Sequence, residues 1–285
     1  MKNYLTIVGF IILLCASFII TNKTTNIMVN NDELMNTIKE VASEYNKEYI
    51  DGKVDGNTFI PGISGLEVNN KKSYEAMKKY GVFIGSLLKY NEIKPKNKLK
   101  DNYNKYIIGG NKNKKMVSLI LLVYKEDDIN KILNILEKEN VRVNFFIDGY
   151  WFEENNELIS KLSNNGNVIG NLSYNGNYND GAYIWMDSII KKAGKQKYGY
   201  CYLEEENKEV LDICAMNKNY TIIPNLVLKN NYLSNIKKNI TNGMIISLDT
   251  NNILIEELPA IINYIKSKGY EIENLNELLS ESSNI

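Results

Sequence analysis

The residues able to do chemistry are few, and one class is missing. The chain has 285 residues and no histidine. That excludes a Ser-His-Asp triad, a Cys-His dyad, a histidine-ligated zinc and an imidazole proton shuttle. What remains are carboxylates, amides, tyrosines and three cysteines. Glu204-Glu205-Glu206 is a carboxylate run. A glycosidase would need two such groups facing each other across a cleft, whereas a run before a helix that starts near Lys208 reads as a solvated loop. Asp127 and Asp128 open a helical stretch, where carboxylates favour the N-terminus electrostatically. Cys201 and Cys214 are spaced to form one disulfide or to stand as two separate thiols.

The elements that must position these groups follow from patterning. Basic and acidic residues balance at 34 each, so a nucleic-acid-binding surface is not expected. Lys, Asn, Ile and Tyr are abundant and Arg142 is the only arginine, the mark of AT-rich coding. Such a bias trims arginine but does not erase histidine. Lys2 precedes an uncharged apolar run from Leu5 to Ile20 with no small-x-small cleavage site after it. The run predicts an uncleaved signal anchor within residues 1–25, a membrane-anchored chain with its bulk outside the cytoplasm. Secretion after signal cleavage is the alternative. Residues 26–112 read as a polar stalk, helical from Asp32 to Tyr49, followed by a small accessory module. From residue 113 to 280 strand and helix alternate. Val117–Tyr124 is a continuous apolar run, as in a strand buried on both faces. Helical periodicity follows over Asp127–Glu139, Asn155–Asn164, Val210–Asn217 and Ile255–Lys268, with strands at Val141–Ile147, Val168–Ile169, Tyr220–Ile223 and Met244–Leu248. This alternation predicts an α/β fold, either a parallel barrel or a doubly wound sheet.

One stretch carries a family signature. Val141-Arg142-Val143-Asn144-Phe145-Phe146-Ile147-Asp148-Gly149-Tyr150-Trp151, then Asn155-Asn156-Glu157-Leu158, then Gly166-Asn167-Val168-Ile169-Gly170-Asn171-Leu172-Ser173-Tyr174-Asn175, resembles the polysaccharide deacetylase (NodB homology) domain. The tail Asn242–Asp249, Leu258–Ile262 and Lys268-Gly269-Tyr270 resembles its last strand and helix. Upstream, Ile60-Pro61-Gly62 through Ser73–Met77 is similar to the N-terminal part of the sporulation-associated subgroup. The resemblance implies a distorted (β/α) barrel of the NodB type with a small N-terminal module.

It also implies where the chemistry would sit, and finds other residues there. The family binds zinc or another divalent metal through one Asp of a T-F-D-D-G strand end and the two histidines of H-S-Y-x-H. The resemblance sets Leu122 at the base and Val123 at the metal-binding Asp. It sets Asn171 and Asn175 at the two histidines and Asp249 at the terminal catalytic histidine. The family's arginine loop corresponds to Tyr200-Cys201-Tyr202, without an arginine. An amide oxygen is a poor zinc ligand beside imidazole, and Leu122 cannot take a proton. No resident cofactor is therefore expected. Asn171, Asn175, Asp249, Tyr174, Tyr200 and Trp151 are expected to line a relic glycan groove, since aromatic faces stack on sugar rings.

The resemblance thus implies a catalytically inactive envelope protein that binds peptidoglycan, another N-acetylated glycan or an envelope protein, with a role in sporulation. Two alternatives stand beside it. One is an active metal-dependent carbohydrate N-deacetylase in which Asp249, Asn171 and Asn175 work with Asp127 or Asp128. The other is a pure protein–protein adaptor.

Overall fold

The computed structural model describes residues 7–8, 11–20, 30, 32–125, 127, 129–178 and 181–283. Within the expected anchor, residues 11–20 are helical with exposed side chains, while Leu5, Thr6, Gly9 and Phe10 lie outside the described residues. No helix among the described residues is long and apolar enough to cross a membrane. Asp128 also lies outside them.

The strands are, in chain order, β1 (Lys53–Asp55), β2 (Thr58–Ile60), β3 (Gly65–Val68), β4 (Tyr90–Ile93), β5 (Tyr106–Ile107), β6 (Met116–Val123), β7 (Asn144–Ile147), β8 (Val168–Asn171), β9 (Gly199–Tyr202), β10 (Asn219–Ile222), β11 (Leu226–Leu228), β12 (Met244–Asp249) and β13 (Glu271–Ile272). The chain divides into two compact units, one of residues 1–49, 64–93 and 283–285, the other of residues 50–63 and 94–282.

In the smaller unit the expected stalk is a packed helix. Asp32 caps Glu33–Tyr45, its carboxylate accepting the N–H of Leu34 at 2.9 Å. Leu34 and Ile38 lie one turn apart on a single face and pack with Val68, Met77 and Leu88. The polar residues that suggested a stalk form the opposite, solvated face. β3 and β4 pair antiparallel beside it.

The larger unit is built on one sheet in the order β1-β2-β5-β10-β9-β8-β7-β6-β12-β11, with β13 added to β6. Its pairs are parallel except β1 with β2. The boundary expected at residue 112 falls inside this unit, because β1, β2 and β5 belong to the main sheet. Those strands have two or three residues each, too few to show alternation in the sequence.

β6 explains the long apolar run, since all eight of its residues are buried. Val117, Leu119, Leu121 and Val123 pack against helix residues such as Ile132, Leu136, Ile159 and Ile261. Met116, Ile120 and Leu122 turn the other way, towards Phe146, Leu172, Tyr202, Ile222 and Leu278. The sheet therefore has a core on each face, and each fully buried aliphatic side chain contributes about 1.5–3 kcal/mol. On the inner face, Asn144 at the start of β7 accepts the N–H of Leu275 at 2.7 Å and so fastens the short helix Leu275–Leu278 at the strands' N-terminal ends. Parallel pairing of β12, β6, β7 and β8 brings their C-terminal ends, and the loops that follow them, to the opposite end.

Candidate functional site at the strand ends

The ends of four strands, β6, β7, β8 and β12, build a cavity of about 670 Å³ whose walls include Tyr124, Asp127, Asp148, Tyr150, Asn175 and Asp249. After β6 the chain turns at once. Asp127 donates its N–H to the carbonyl of Tyr124 at 3.0 Å, and its carboxylate accepts the Tyr124 N–H at 2.8 Å. Asp127 thus closes a turn; it does not cap the helix Asn130–Glu139, whose N-terminal residue Ile129 makes no side-chain cap. After β7, Asp148 caps the helix Gly149–Asn155 through the N–H of Tyr150 at 2.9 Å. Its second oxygen accepts the N–H of Asn175 at 2.8 Å. Gly149 is required here, because a Cβ would lie 2.6 Å from the Tyr174 ring. At the end of β12, Asp249 stands level with Leu122 of β6.

Burial is the first cause of each shifted group. It raises the Asp249 carboxyl above the usual range, with Lys229 opposing and Glu204 adding. It raises Asp127 likewise; the bond from Tyr124 opposes and Asp249 adds. The Tyr124 phenol is pushed up to about 12 by burial and then by the surrounding carboxylates, Asp249 foremost. Tyr124 is therefore a neutral hydroxyl at any physiological pH, able to donate to a ligand oxygen.

The residues expected to form a groove separate into four groups. Asn175 and Asp249 line this cavity. Asn171 and Trp151 are buried and occupied elsewhere. The Asn171 amide donates to the carbonyl of Tyr183 at 3.2 Å and accepts from the N–H of Ser173 at 2.7 Å. The Trp151 indole donates to the carbonyl of Asp127 at 3.0 Å. Tyr174 lies over Gly149 and donates to Glu153 at 2.7 Å. Tyr200 belongs to a different place altogether: it is buried on the inner face, bonds Asn276 at 2.7 Å, and lines a cavity at the strands' N-terminal ends. Sequence reasoning missed Asp148, Tyr124 and Tyr150 as site residues. For Asp148 a signal existed: an Asp directly after a buried strand and before a helix is a capping residue at a strand end.

The fold and this site now meet the known proteins. A polysaccharide deacetylase family model matches residues 109–239. Bacillus subtilis YlxY, described as uncharacterized, is 30% identical over 282 residues, covering 91% of this chain and 87% of YlxY. The chain belongs to the polysaccharide deacetylase family. Wild-type BA3943 of Bacillus anthracis, a CE4 family pseudoenzyme, superposes with a TM-score of 0.68 at 26% identity, over 89% of this chain and 97% of BA3943. A BA3943 mutant with restored enzymatic activity superposes equally well, with a TM-score of 0.68 at 25% identity, over 89% and 100%. The Bacillus subtilis peptidoglycan-N-acetylmuramic acid deacetylase PdaA is 30% identical over 78 residues, 27% of this chain and 30% of PdaA.

The structure shows which side chains stand at the positions the resemblance assigns. Ser173-Tyr174 coincides with the Ser-Tyr of H-S-Y-x-H. A register anchored there would set the two histidine positions at Leu172 and Gly176, one residue beyond the Asn171 and Asn175 of a register anchored on Gly170. The two registers differ in side-chain direction. Leu172 turns inward with Leu122, Phe146 and Tyr202, while Asn171 bonds outward to the helix Gly181–Ala193 through Tyr183. Phe146 fills the space above Gly170, where a Cβ would meet its ring at 2.4 Å. Val123 is buried among helix residues. The donors at these positions do not fit zinc: Leu122, Val123, Leu172 and Gly176 offer no side-chain donor, and the Asn171 amide is already bonded.

Disulfide pairing is also settled. Cys201 of β9 and Cys214 of the helix Lys208–Met216 are joined.

Proposed function

We propose that this chain is a degenerate polysaccharide deacetylase-like protein of the bacterial cell envelope, that it lacks the deacetylation reaction, and that it binds N-acetylated glycan, peptidoglycan in the first instance. The carrying observation is the inner apolar cluster of Leu122, Phe146, Leu172 and Tyr202 at the place of the family's base and metal. Without a base or a metal-bound water, nothing lowers the barrier to amide hydrolysis. The cavity above the cluster keeps groups suited to a neutral sugar: carboxylates and Asn175 for hydroxyl and amide N–H groups, and the neutral Tyr124 phenol for a carbonyl oxygen. No resident metal is part of this reading.

We place the protein outside the cytoplasm, held by the segment Leu5–Ile20 or released by its cleavage. The Cys201–Cys214 disulfide supports an oxidising compartment. A role in sporulation rests on the similarity of residues 60–77 to the sporulation-associated subgroup.

The test uses the full chain. Incubated with peptidoglycan or N-acetylglucosamine oligomers and zinc, cobalt or nickel, it should release no acetate above buffer. It should co-sediment with peptidoglycan, and Asp249→Ala with Asn175→Ala should weaken this severalfold. Catalysed acetate release that disappears in Asp249→Ala overturns the inactive reading. Failure to bind any glycan overturns the glycan reading and favours the adaptor.

A further inference from the structure

The two ends of the sheet carry opposite charge, although the chain is neutral overall. At the C-terminal ends three aspartates and one lysine line the cavity described above. At the N-terminal ends, within the larger unit, lies a second cavity of about 810 Å³. Six cationic side chains line it, Lys94, Lys98, Lys100, Arg142, Lys195 and Lys197, against a single carboxylate, Glu281. The Glu281 carboxylate accepts the N–H of Leu99 at 2.8 Å and is also drawn to Lys94 and Lys98. Arg142 is paired with Glu273 and Lys94 has contacts of its own, so the cationic excess rests on Lys98, Lys100, Lys195 and Lys197, more than one acid already engaged by backbone can neutralise.

The cavity is positioned by the fold. The loops before β7, β8 and β9 deliver Arg142, Asn167 and Lys195–Lys197, and the turn Leu99–Asp101 delivers Lys98 and Lys100 opposite. Its floor is rigid. Tyr200 and Tyr220 are almost fully buried, Tyr103 stacks on Tyr220 at 4.6 Å, and Asn276 holds the Tyr200 hydroxyl. The Arg142 stem packs on Gly166 and its guanidinium faces Glu273 at 3.7 Å.

We propose that this cavity is a second ligand site, separate from the one at the opposite strand ends, and that it takes a phosphate group carried on a polyol or sugar. Clustered cations concentrate an anion. The rim is dominated by lysines, which act as point charges on a multiply charged phosphate, while its only guanidinium fork is shared with Glu273 and so cannot be given wholly to a ligand carboxylate. The volume lies in the range of small-molecule sites and exceeds the needs of one phosphate, leaving room for its carrier. Nothing in this assignment depends on the glycan reading of the other cavity.

The test is calorimetric titration of the full chain at low salt with sodium phosphate, glycerol 3-phosphate, polyglycerol phosphate and, as carboxylate control, polyglutamate. Saturable binding of a phosphate probe is expected, weakening as salt screens the rim. Lys98→Gln with Lys197→Gln should weaken it roughly tenfold or more, whereas Lys138→Gln with Lys238→Gln, the same charge change elsewhere, should not. Tighter binding of the polymer per phosphate assigns the carrier as a polymer; equal binding of glycerol 3-phosphate assigns a small phosphate ester. The proposal is overturned by no binding of any phosphate probe, by polyglutamate binding as tightly, or by equal weakening in the two variant pairs.

Discussion

Asp148 and Asn175 are joined by a bond of 2.8 Å from the Asn175 N–H to Asp148 Oδ2. The same carboxylate is fully buried and also accepts the N–H of Tyr150. One residue thus caps a helix and holds a loop in which Ser173 and Asn175 have φ of 56° and 50°. Asp148→Ala should cost about 1–3 kcal/mol in denaturant unfolding, because it removes a cap and a second, part-buried bond to a backbone N–H. Hydrogen exchange at the Asn175 amide should quicken markedly. A loss below about 0.5 kcal/mol, with unchanged exchange, would show that the loop is held by other bonds.

How much of this was legible depended on the length of the pattern. The eight-residue apolar run of β6 named a strand buried on both faces, and it is one. Asn207 and Asn251, each before an apolar periodicity, cap helices through Val210 and Leu254, so those helix starts were readable within a few residues. The strands β1, β2 and β5 left no periodicity to read. At the site, sequence position along a motif did not reveal which way a side chain points. Asn171 and Leu172 are neighbours, yet one bonds towards a helix and the other fills the inner core. Trp151 and Tyr200 are aromatic near the right segments, but burial and direction decide whether a ring meets a ligand. Asp148 was passed over because its work is done on backbone N–H groups rather than by pairing with another charge.

The disulfide closes a short loop, with thirteen residues of separation between Cys201 and Cys214. Loop-closure entropy alone assigns it about 3 kcal/mol. Cys214→Ser should lose roughly 2–3 kcal/mol in urea unfolding, and reductant should lower the wild-type midpoint to match. The packing around it predicts a second effect. The Tyr183 hydroxyl lies 3.0 Å from the Cys201 sulfur, so near-ultraviolet circular dichroism should change on reduction. A reductant-insensitive wild type would mean the two thiols stay unpaired.

Asp249 makes stability depend on pH in a defined direction. Burial raises its folded pKa above the ordinary 3.8. Folding therefore favours its protonated form. That contribution is complete below about pH 3.8 and is lost as pH rises through the raised value. At pH 7 the ionised carboxylate is a burden, offset in part by Lys229. Because the group is only partly shielded, Asp249→Asn should raise Tm at pH 7 by no more than roughly 1–2 °C. The gain should vanish by pH 3. Calorimetric scans at the two pH values decide it, and a gain confined to pH 3 would reverse the assignment.

Reconstruction separates two registers of the family's metal motif on this chain. In one, anchored on Ser173-Tyr174, the imidazoles belong at Leu172 and Gly176; in the other, anchored on Gly170, they belong at Asn171 and Asn175. Leu172 shares the inner cluster with Leu122. Gly176 has φ 74° and open space around a Cβ, and His is among the residues that enter this region more readily than most. Replacing Asn171, by contrast, leaves the N–H of Ser173 and the carbonyl of Tyr183 without their partner. The variant Leu122→Asp, Val123→Asp, Leu172→His, Gly176→His should bind zinc through three ligands with a fourth position open. The variant with the same aspartates and Asn171→His, Asn175→His should not. Buried carboxylates should destabilise the metal-free form, and zinc should raise its Tm by linkage. Affinity should fall roughly 10- to 100-fold short of a native site, since groups that orient each imidazole are absent. Titration calorimetry and thermal shift, each repeated with chelator, read the outcome. Zinc binding by the Asn171 and Asn175 pair alone would place the register on Gly170 and remove Leu172 from the relic centre.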